Sequence, residues 1–335
     1  MDSKFVFFIE GIEHERFIAP YIKFLKKYSC KIEIYSFEKL TKNYVNDENF
    51  YIINKSDLIK FCLNLECNYF LTTTPGIGNL YFPKSKVLPK KNRPKYIYLF
   101  HSLVSPNEVY SEKSFKGFDV IFSPNLIISD QLKYVTSKNC KIFTIGYPII
   151  SNLNNLNYKE KKNKVLIAPS WGPNSLFRKT KLLEQVIFCV DKNFEIILRP
   201  HPMELKNIDF LKNNKKVSID LNKNLSNLHE YKFLITDWSG IGIEFSAINK
   251  TKVIYLDLPK KVNRKLTKKE KSLDLIENVV RSRVGIVLKD NELDYLNKLD
   301  DQIEYLSFNK IEYLDELTSP AFNLKIFYNY VISKN

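Results

Sequence analysis

Short β-rich runs alternate with helical stretches along almost the whole of this chain, and that alternation restricts it to parallel α/β architectures. In the first half the expected strands are Phe5–Ile9, Lys31–Tyr35, Tyr51–Ile53, Tyr69–Thr73, Tyr96–Phe100, Val120–Phe122 and Ile142–Ile145. Helical stretches at Glu15–Lys27, Ser56–Leu65 and Leu126–Thr136 lie between them. Gly146-Tyr147-Pro148 stops this first unit, and residues 151–163, polar and without apolar periodicity, read as a linker. The alternation then restarts, with strands at Val165–Ala168, Glu195–Leu198, Val217–Ile219, Phe233–Thr236 and Val253–Leu256. Helices are expected at Lys179–Asp191, Glu204–Asn213, Gly240–Ile248, Asn291–Leu306 and Ala321–Ile332. The pattern predicts two doubly wound Rossmann-like domains, 1–150 and 164–320, with a closing helix in 321–335 and a cleft between the domains. Ligands in such sheets sit outside the carboxyl ends of the strands.

Composition narrows the class. With 335 residues the chain is long for a single core, and 44% apolar residues exclude general disorder. No apolar run approaches the roughly 20 residues needed to span a bilayer. The opening Lys4–Ile9 is cut off by Glu10 and Glu13, so it reads as a first strand and not a signal peptide, and a cytoplasmic location is expected. The five cysteines are scattered without metal-ligand spacing and read as reduced, mostly buried small hydrophobes. A net charge of +15 favours anionic partners, nucleotide donors or acidic headgroups among them, or else reflects a solvated lysine-rich surface. Lysines cluster at Lys84–Lys95, Lys159–Lys164 and Lys260–Lys271. No basic helix with interleaved aromatics appears, so nucleic acid is not an expected partner.

The candidate chemistry sits at strand ends. Phe233–Phe245 reads as a buried strand running into a helix, with Asp237, Ser239 and Gly240 at the junction. Such a junction exposes backbone N–H groups at a helix start, where a phosphate is favoured, although Asp237 also suits a plain N-cap. Arg199-Pro200-His201-Pro202 ends another strand in a fixed cation and an imidazole. Arg199 suits a phosphate or a local carboxylate, and His201 can donate to a phosphate oxygen or protonate a leaving group. Ser170, in the turn Ala168-Pro169-Ser170-Trp171-Gly172, is a further phosphate candidate or part of a domain-opening turn. Glu244 either meets ribose hydroxyls in the cleft or is a solvated helix carboxylate. His101, after the strand Tyr96–Phe100, is either a structural histidine or, if it faces the phosphate site, placed for a general base acting on an acceptor hydroxyl. His14 and His229 lie on helical stretches without evident partners and are left unassigned. No D-x-D, HExxH or Walker-type loop occurs, so no metal site is expected.

Taken in order, these segments resemble the CDP-glycerol glycerophosphotransferase family of teichoic-acid and capsule polyol-phosphate transferases. The matching residues are His101-Ser102, Gly146-Tyr147-Pro148, Ala168-Pro169-Ser170-Trp171, Arg199-Pro200-His201-Pro202, Thr236-Asp237-Trp238-Ser239-Gly240 and Ile254-Tyr255-Leu256-Asp257-Leu258-Pro259. The resemblance implies a GT-B fold and metal-independent transfer from a CDP-linked polyol, CDP-glycerol or CDP-ribitol, with no cofactor beyond that donor. It implies His101 as the base, with Arg199, His201, Ser239 and Gly240 holding the pyrophosphate and Glu244 touching the ribose. A lipid-linked or glycan acceptor at the inner face of the plasma membrane would suit the basic surface. Where the family usually has His-Gly this chain has His101-Ser102, and where a second Ser is common it has Gly240. Two other readings of the same scaffold are an inverting nucleotide-sugar transferase and a non-catalytic protein bound to the membrane surface.

Overall fold

The computed structural model describes residues 3–40, 49–76, 93–153, 162–190, 194–211, 214–221, 227–260, 275–301, 306–318 and 322–332. Two parallel sheets organise them. The seven-stranded sheet runs in the order β3-β2-β1-β4-β5-β6-β7. Its strands are β1 (Lys4–Ile9), β2 (Lys31–Ser36), β3 (Phe50–Ile52), β4 (Tyr69–Thr72), β5 (Lys95–Leu99), β6 (Val120–Ser123) and β7 (Lys141–Thr144). The six-stranded sheet runs in the order β10-β9-β8-β11-β12-β13. It comprises β8 (Lys162–Ile167), β9 (Glu195–Leu198), β10 (Val217–Ile219), β11 (Tyr231–Thr236), β12 (Val253–Leu256) and β13 (Gly285–Leu288). In both sheets the order reverses beside the first strand, which opens a crevice at the carboxyl ends of the flanking strands.

The strand sequences show why the sheets are parallel and covered on both faces. Strand β1 is apolar at every position after Lys4, and Phe5 through Ile9 are all fully buried. Phe5, Phe7 and Ile9 pack with Ile18, Tyr21 and Leu25 of α1 (Ile12–Lys26). Val6 and Phe8 face the other way, into a cluster with Phe70, Tyr98 and Phe115. That second cluster continues through Tyr147, Ile149 and Ile150 to Leu166, Leu234 and Phe245 of the other lobe, so the two lobes share one apolar core. A remaining cluster, with Leu183, Val186 and Val190, covers the outer face of the second sheet. Truncating a buried aromatic such as Phe8 or Phe245 to alanine should cost about 3–5 kcal/mol.

The helices of the first lobe are completed by α2 (Leu58–Leu63), α3 (Pro106–Val109), α4 (Glu112–Phe115) and α5 (Leu126–Leu132). Next come α6 (Pro148–Leu153), α7 (Thr180–Val190), α8 (Ile241–Asn249) and α9 (Ile276–Val284). The chain then returns to the first lobe through α10 (Phe308–Thr318) and α11 (Leu324–Val331). The Tyr147 N–H donates to Thr318 O at 3.1 Å, and the Asn323 N–H to Ile145 O at 2.7 Å. Phe327 of α11 packs edge-on against Tyr21 and Phe122.

Several expectations need correction. The helices expected at Glu204–Asn213 and Asn291–Leu306 are 3₁₀ segments, Pro202–Leu211 and Asp290–Asp301. The helical stretch expected through Thr136 ends at Leu132, and the closing helix begins at Leu324 rather than Ala321. Strand β13 and helices α9 and α10 were not anticipated. The expected linker 151–163 overlaps the end of α6 and the start of β8, and its residues 154–161 lie outside the described residues. Outside them too lie 84–92, 159–161 and 261–271 of the lysine-rich stretches. Of the five free cysteines only Cys62 is fully buried, the rest being half-buried. No helix among the described residues is long and apolar enough to cross a membrane.

Candidate active site

The carboxyl ends of β5, β8, β9, β10 and β11 converge on one cleft between the lobes, about 710 Å³ in volume. The first lobe contributes Glu13, His14, Arg16 and Phe17 of α1 and His101–Val104 from the loop after β5. The second lobe contributes Ala168–Trp171, Arg199–His201, Asp220 and Leu221, Trp238–Ile241, and Glu244. His101, Ser170, Arg199, His201, Ser239, Gly240 and Glu244 therefore share one cavity; Asp237 stands behind its wall.

Arg199 is held as its sequence allowed, by a carboxylate. Its Nε and Nη2 donate to Asp220 Oδ2 at 3.2 and 2.6 Å, and Nη2 also donates to Asn227 Oδ1 at 2.7 Å. Nη1, by contrast, is buried and has no hydrogen-bond partner among the described residues. A buried guanidinium with one edge fixed and one N–H edge unmet is a donor site for an anionic oxygen. His201 is exposed at the cleft, and its Nδ1 accepts the Met203 N–H at 3.2 Å. The neutral ring then carries its proton on Nε2, which makes that atom a donor. The indole of Trp171 lies 5.7 Å from it, tilted by 33°.

One buried carboxylate braces these two loops. Glu204 accepts the Gly172 N–H at 2.7 Å and Arg178 Nε at 3.2 Å, while its own N–H donates to His201 O at 2.8 Å. Gly172 has φ +111°, a backbone region that side chains rarely adopt, so glycine is needed for the turn. Asp237 does similar work on the other side. Its Oδ1 accepts the N–H groups of Ser170 and Trp238, both at 2.6 Å. It ties the β8 loop to the β11 loop and does not cap α8.

Gly240 occupies the cap position of α8, and no side chain caps the helix. The backbone N–H groups of Ser239 and Gly240 donate to no protein group among the described residues, which leaves the positive end of α8 open to the cleft. A Cβ at Gly240 would come within 3.2 Å of Val104 Cγ1, so glycine lets the two lobes touch there. Trp238 is clamped behind: Nε1 donates to Leu258 O at 2.8 Å, and the Arg281 guanidinium lies 3.8 Å over its ring. Glu244 is buried, not solvated, and accepts a hydrogen bond from the Tyr147 hydroxyl. Burial raises its carboxyl above the ordinary range, opposed by Arg16, Tyr147 and Arg199.

On the first lobe, His101 Nδ1 lies 3.2 Å from the Tyr98 hydroxyl. A proton on Nδ1 shared with that oxygen leaves Nε2 as the base. Burial holds the His101 imidazole well below its ordinary range, and the nearby His14 and Arg16 lower it further. The ring is therefore neutral at pH 7, with the Nε2 lone pair unprotonated. His14, which had no evident partner in the sequence, stands 4.9 Å from His101 between ring centroids, with Nδ1 3.0 Å from Thr73 Oγ1. Periodicity placed His14 on a helix but gave no sign that this helix starts beside the end of β5. Glu204 was likewise missed, though a Glu two residues beyond an Arg-Pro-His-Pro turn is well placed to accept from its neighbours. His229 falls in a 3₁₀ turn and does not line the cleft. Among the described residues no group of three or more His, Cys, Asp or Glu side chains is placed to hold a metal ion.

Two parallel α/β lobes around a nucleotide-sized cleft are the arrangement of GT-B transferases, and comparison with solved structures agrees. The wall teichoic acid polymerase TagF superposes with a TM-score of 0.64 at 16% identity, covering 99% of this chain and 88% of that one. A TagF variant soaked with CDPG gives 0.62, also at 16% identity, covering 98% of this chain and 86% of that one. MnaA of S. aureus, solved with UDP, gives 0.61 at 14% identity, with 100% and 97% covered. At such identities the likeness establishes the GT-B fold. No curated protein matches the chain. The profile of the CDP-glycerol:poly(glycerophosphate) glycerophosphotransferase family matches residues 77–261. That span is more than half of the chain, which therefore belongs to this family of transferases.

Proposed function

We propose that this chain transfers a polyol phosphate from CDP-glycerol or CDP-ribitol to an acceptor hydroxyl in the assembly of a teichoic-acid-like or capsular cell-surface polymer. The observation that carries the reading is the unmet, buried Nη1 of Arg199 in a cleft whose opposite wall holds a neutral, half-buried His101. His101 Nε2 takes the acceptor hydroxyl proton, and the oxygen attacks the β-phosphorus of the donor. The bond from that phosphorus to the bridging oxygen breaks, and CMP leaves with the electron pair. Arg199, the Nε2–H of His201 and the open N-terminus of α8 at Ser239 and Gly240 stabilise the phosphate charge. In this reading the protein groups alone carry that charge, with no metal or cofactor assigned. Ser170 lies beside the pyrophosphate path, and Asp237 acts by holding the Ser170 loop. Glu244 can meet the ribose with the acceptor capacity left over once the Tyr147 hydroxyl has bound Oε1.

The net charge of +15 supports a lipid-linked acceptor approached at the inner, anionic face of the membrane. The test is thermal stability against CDP, CMP, UDP and GDP, followed by CMP release from CDP-glycerol and CDP-ribitol. Selective stabilisation by cytidine nucleotides, at about 2.7 kcal/mol for a ligand at a hundred times its Kd, supports the reading. Selective stabilisation by UDP or GDP overturns it in favour of a sugar transferase.

A further inference from the structure

The loop that carries His101 away from β5 does not end at the cleft. It runs on through Leu103 and Val104 to Ser105, which is wholly buried and is held from the other lobe. The Ser105 N–H donates to Glu277 Oε1 at 2.7 Å, and its hydroxyl donates to Glu277 Oε2 at 2.5 Å. The same hydroxyl accepts the Ile276 N–H at 3.1 Å, which closes a ring around the start of α9. One turn further, the buried Glu108 carboxylate meets Lys260 Nζ at 2.6 Å. Val104 Cγ1 is the atom that a Cβ at Gly240 would crowd, at 3.2 Å.

Burying the Glu277 carboxylate costs desolvation, and hydrophobic contact would join two lobes more cheaply. What two short, charge-assisted hydrogen bonds add is direction: they fix a loop where apolar surfaces can slide. The fixed point, Ser105, lies four residues beyond His101, and the other end of the contact belongs to the lobe that carries Arg199 and His201.

We propose that Glu277 is a positioning residue: by gripping Ser105 across the lobes, it sets His101 at the working distance from the donor phosphates. Its kinetic consequence rests on the transfer reading above, and its structural consequence rests on the hydrogen bonds alone. Glu277→Gln keeps the size of the side chain but loses one acceptor for the Ser105 hydroxyl. Ser105→Ala removes that hydroxyl, and Ser105→Thr retains it.

The full-length protein and these variants are compared in CMP release and nucleotide affinity, and in hydrogen exchange over residues 102–109. Glu277→Gln and Ser105→Ala are each expected to lower kcat about ten- to a hundred-fold, as a small misplacement of a reacting group does. The double variant is no worse than the weaker single, because both remove one contact. Nucleotide affinity stays near wild type, since Arg199, His201 and Ser239 are untouched, and Ser105→Thr keeps its kcat. Exchange at 102–109 speeds up in Glu277→Gln. Wild-type kcat in both single variants overturns the inference, as does a matching loss of nucleotide affinity. Should the wild-type protein release no CMP from any CDP-linked polyol, the transfer reading fails, and exchange decides the clasp: unchanged protection of 102–109 overturns it. If Glu277→Gln does not fold, Ser105→Ala, a loss of one hydroxyl, carries the same readouts.

Discussion

His101 and His14 meet edge to face across the cleft wall, their ring centroids 4.9 Å apart. Two imidazoles this close disfavour a shared double charge, so His14 biases His101 toward neutrality. His101→Ala should abolish most turnover and leave CDP affinity nearly intact, as measured by CMP release beside calorimetry.

The pH dependence has a defined sign. Burial, then His14 and Arg16, depress the His101 imidazole below its ordinary 6.5, so the acid limb of kcat/KM should fall below that value. His14→Gln removes one like charge and should move the limb to higher pH. The same depression stabilises the fold above pH 6.5, and that contribution is lost as pH falls below it.

Arg199→Lys should weaken CDP binding and also destabilise the fold. A lysine cannot serve Asp220 Oδ2 and Asn227 Oδ1 in the fork geometry, and partners left unmet cost about 1–3 kcal/mol. Chemical denaturation and calorimetry on one variant read both effects.

Glu204→Ala should lower the melting temperature by several degrees, because the Gly172 N–H loses its acceptor, a loss of about 1–3 kcal/mol. CDP affinity should drop with it, since the loops carrying Trp171 and His201 lose their shared brace.

Glu244 gives a slope of opposite sign to that of His101. Burial raises its carboxyl above the ordinary 4.5, so its contribution is fully present below that pH and is lost as pH rises through the raised value. The stability difference between wild type and Glu244→Gln should therefore move against wild type as pH climbs above 4.5.

The strands were the legible part of this fold. Glu195–Leu198, Val217–Ile219 and Val253–Leu256 are short apolar runs between turn residues, and the structure has them with the expected bounds. Strand β13 escaped because Gly285-Ile286-Val287-Leu288 opens on glycine and is only part-buried, so neither alternation nor a bounded buried run marks it. Glu204–Asn213 was expected as a helix, and the structure has a 3₁₀ segment at Pro202–Leu211, whose Glu204 side chain is tied to the neighbouring loop. For the cleft, local sequence named the residues at strand ends and not their partners. Ser105 and Glu277 are 172 residues apart, and nothing local to either announces the other.

Helix α11 has a consequence for how the polypeptide is made. Phe327 and Val331 seal Tyr21, Ile22 and Phe122 of a lobe whose own strands are translated long before them. Until this helix has emerged from the ribosome, that lobe carries an uncovered aromatic face, the kind of surface that recruits chaperones or aggregates. A fragment ending before α11 should therefore be a poor expression target even though it holds every strand of both sheets.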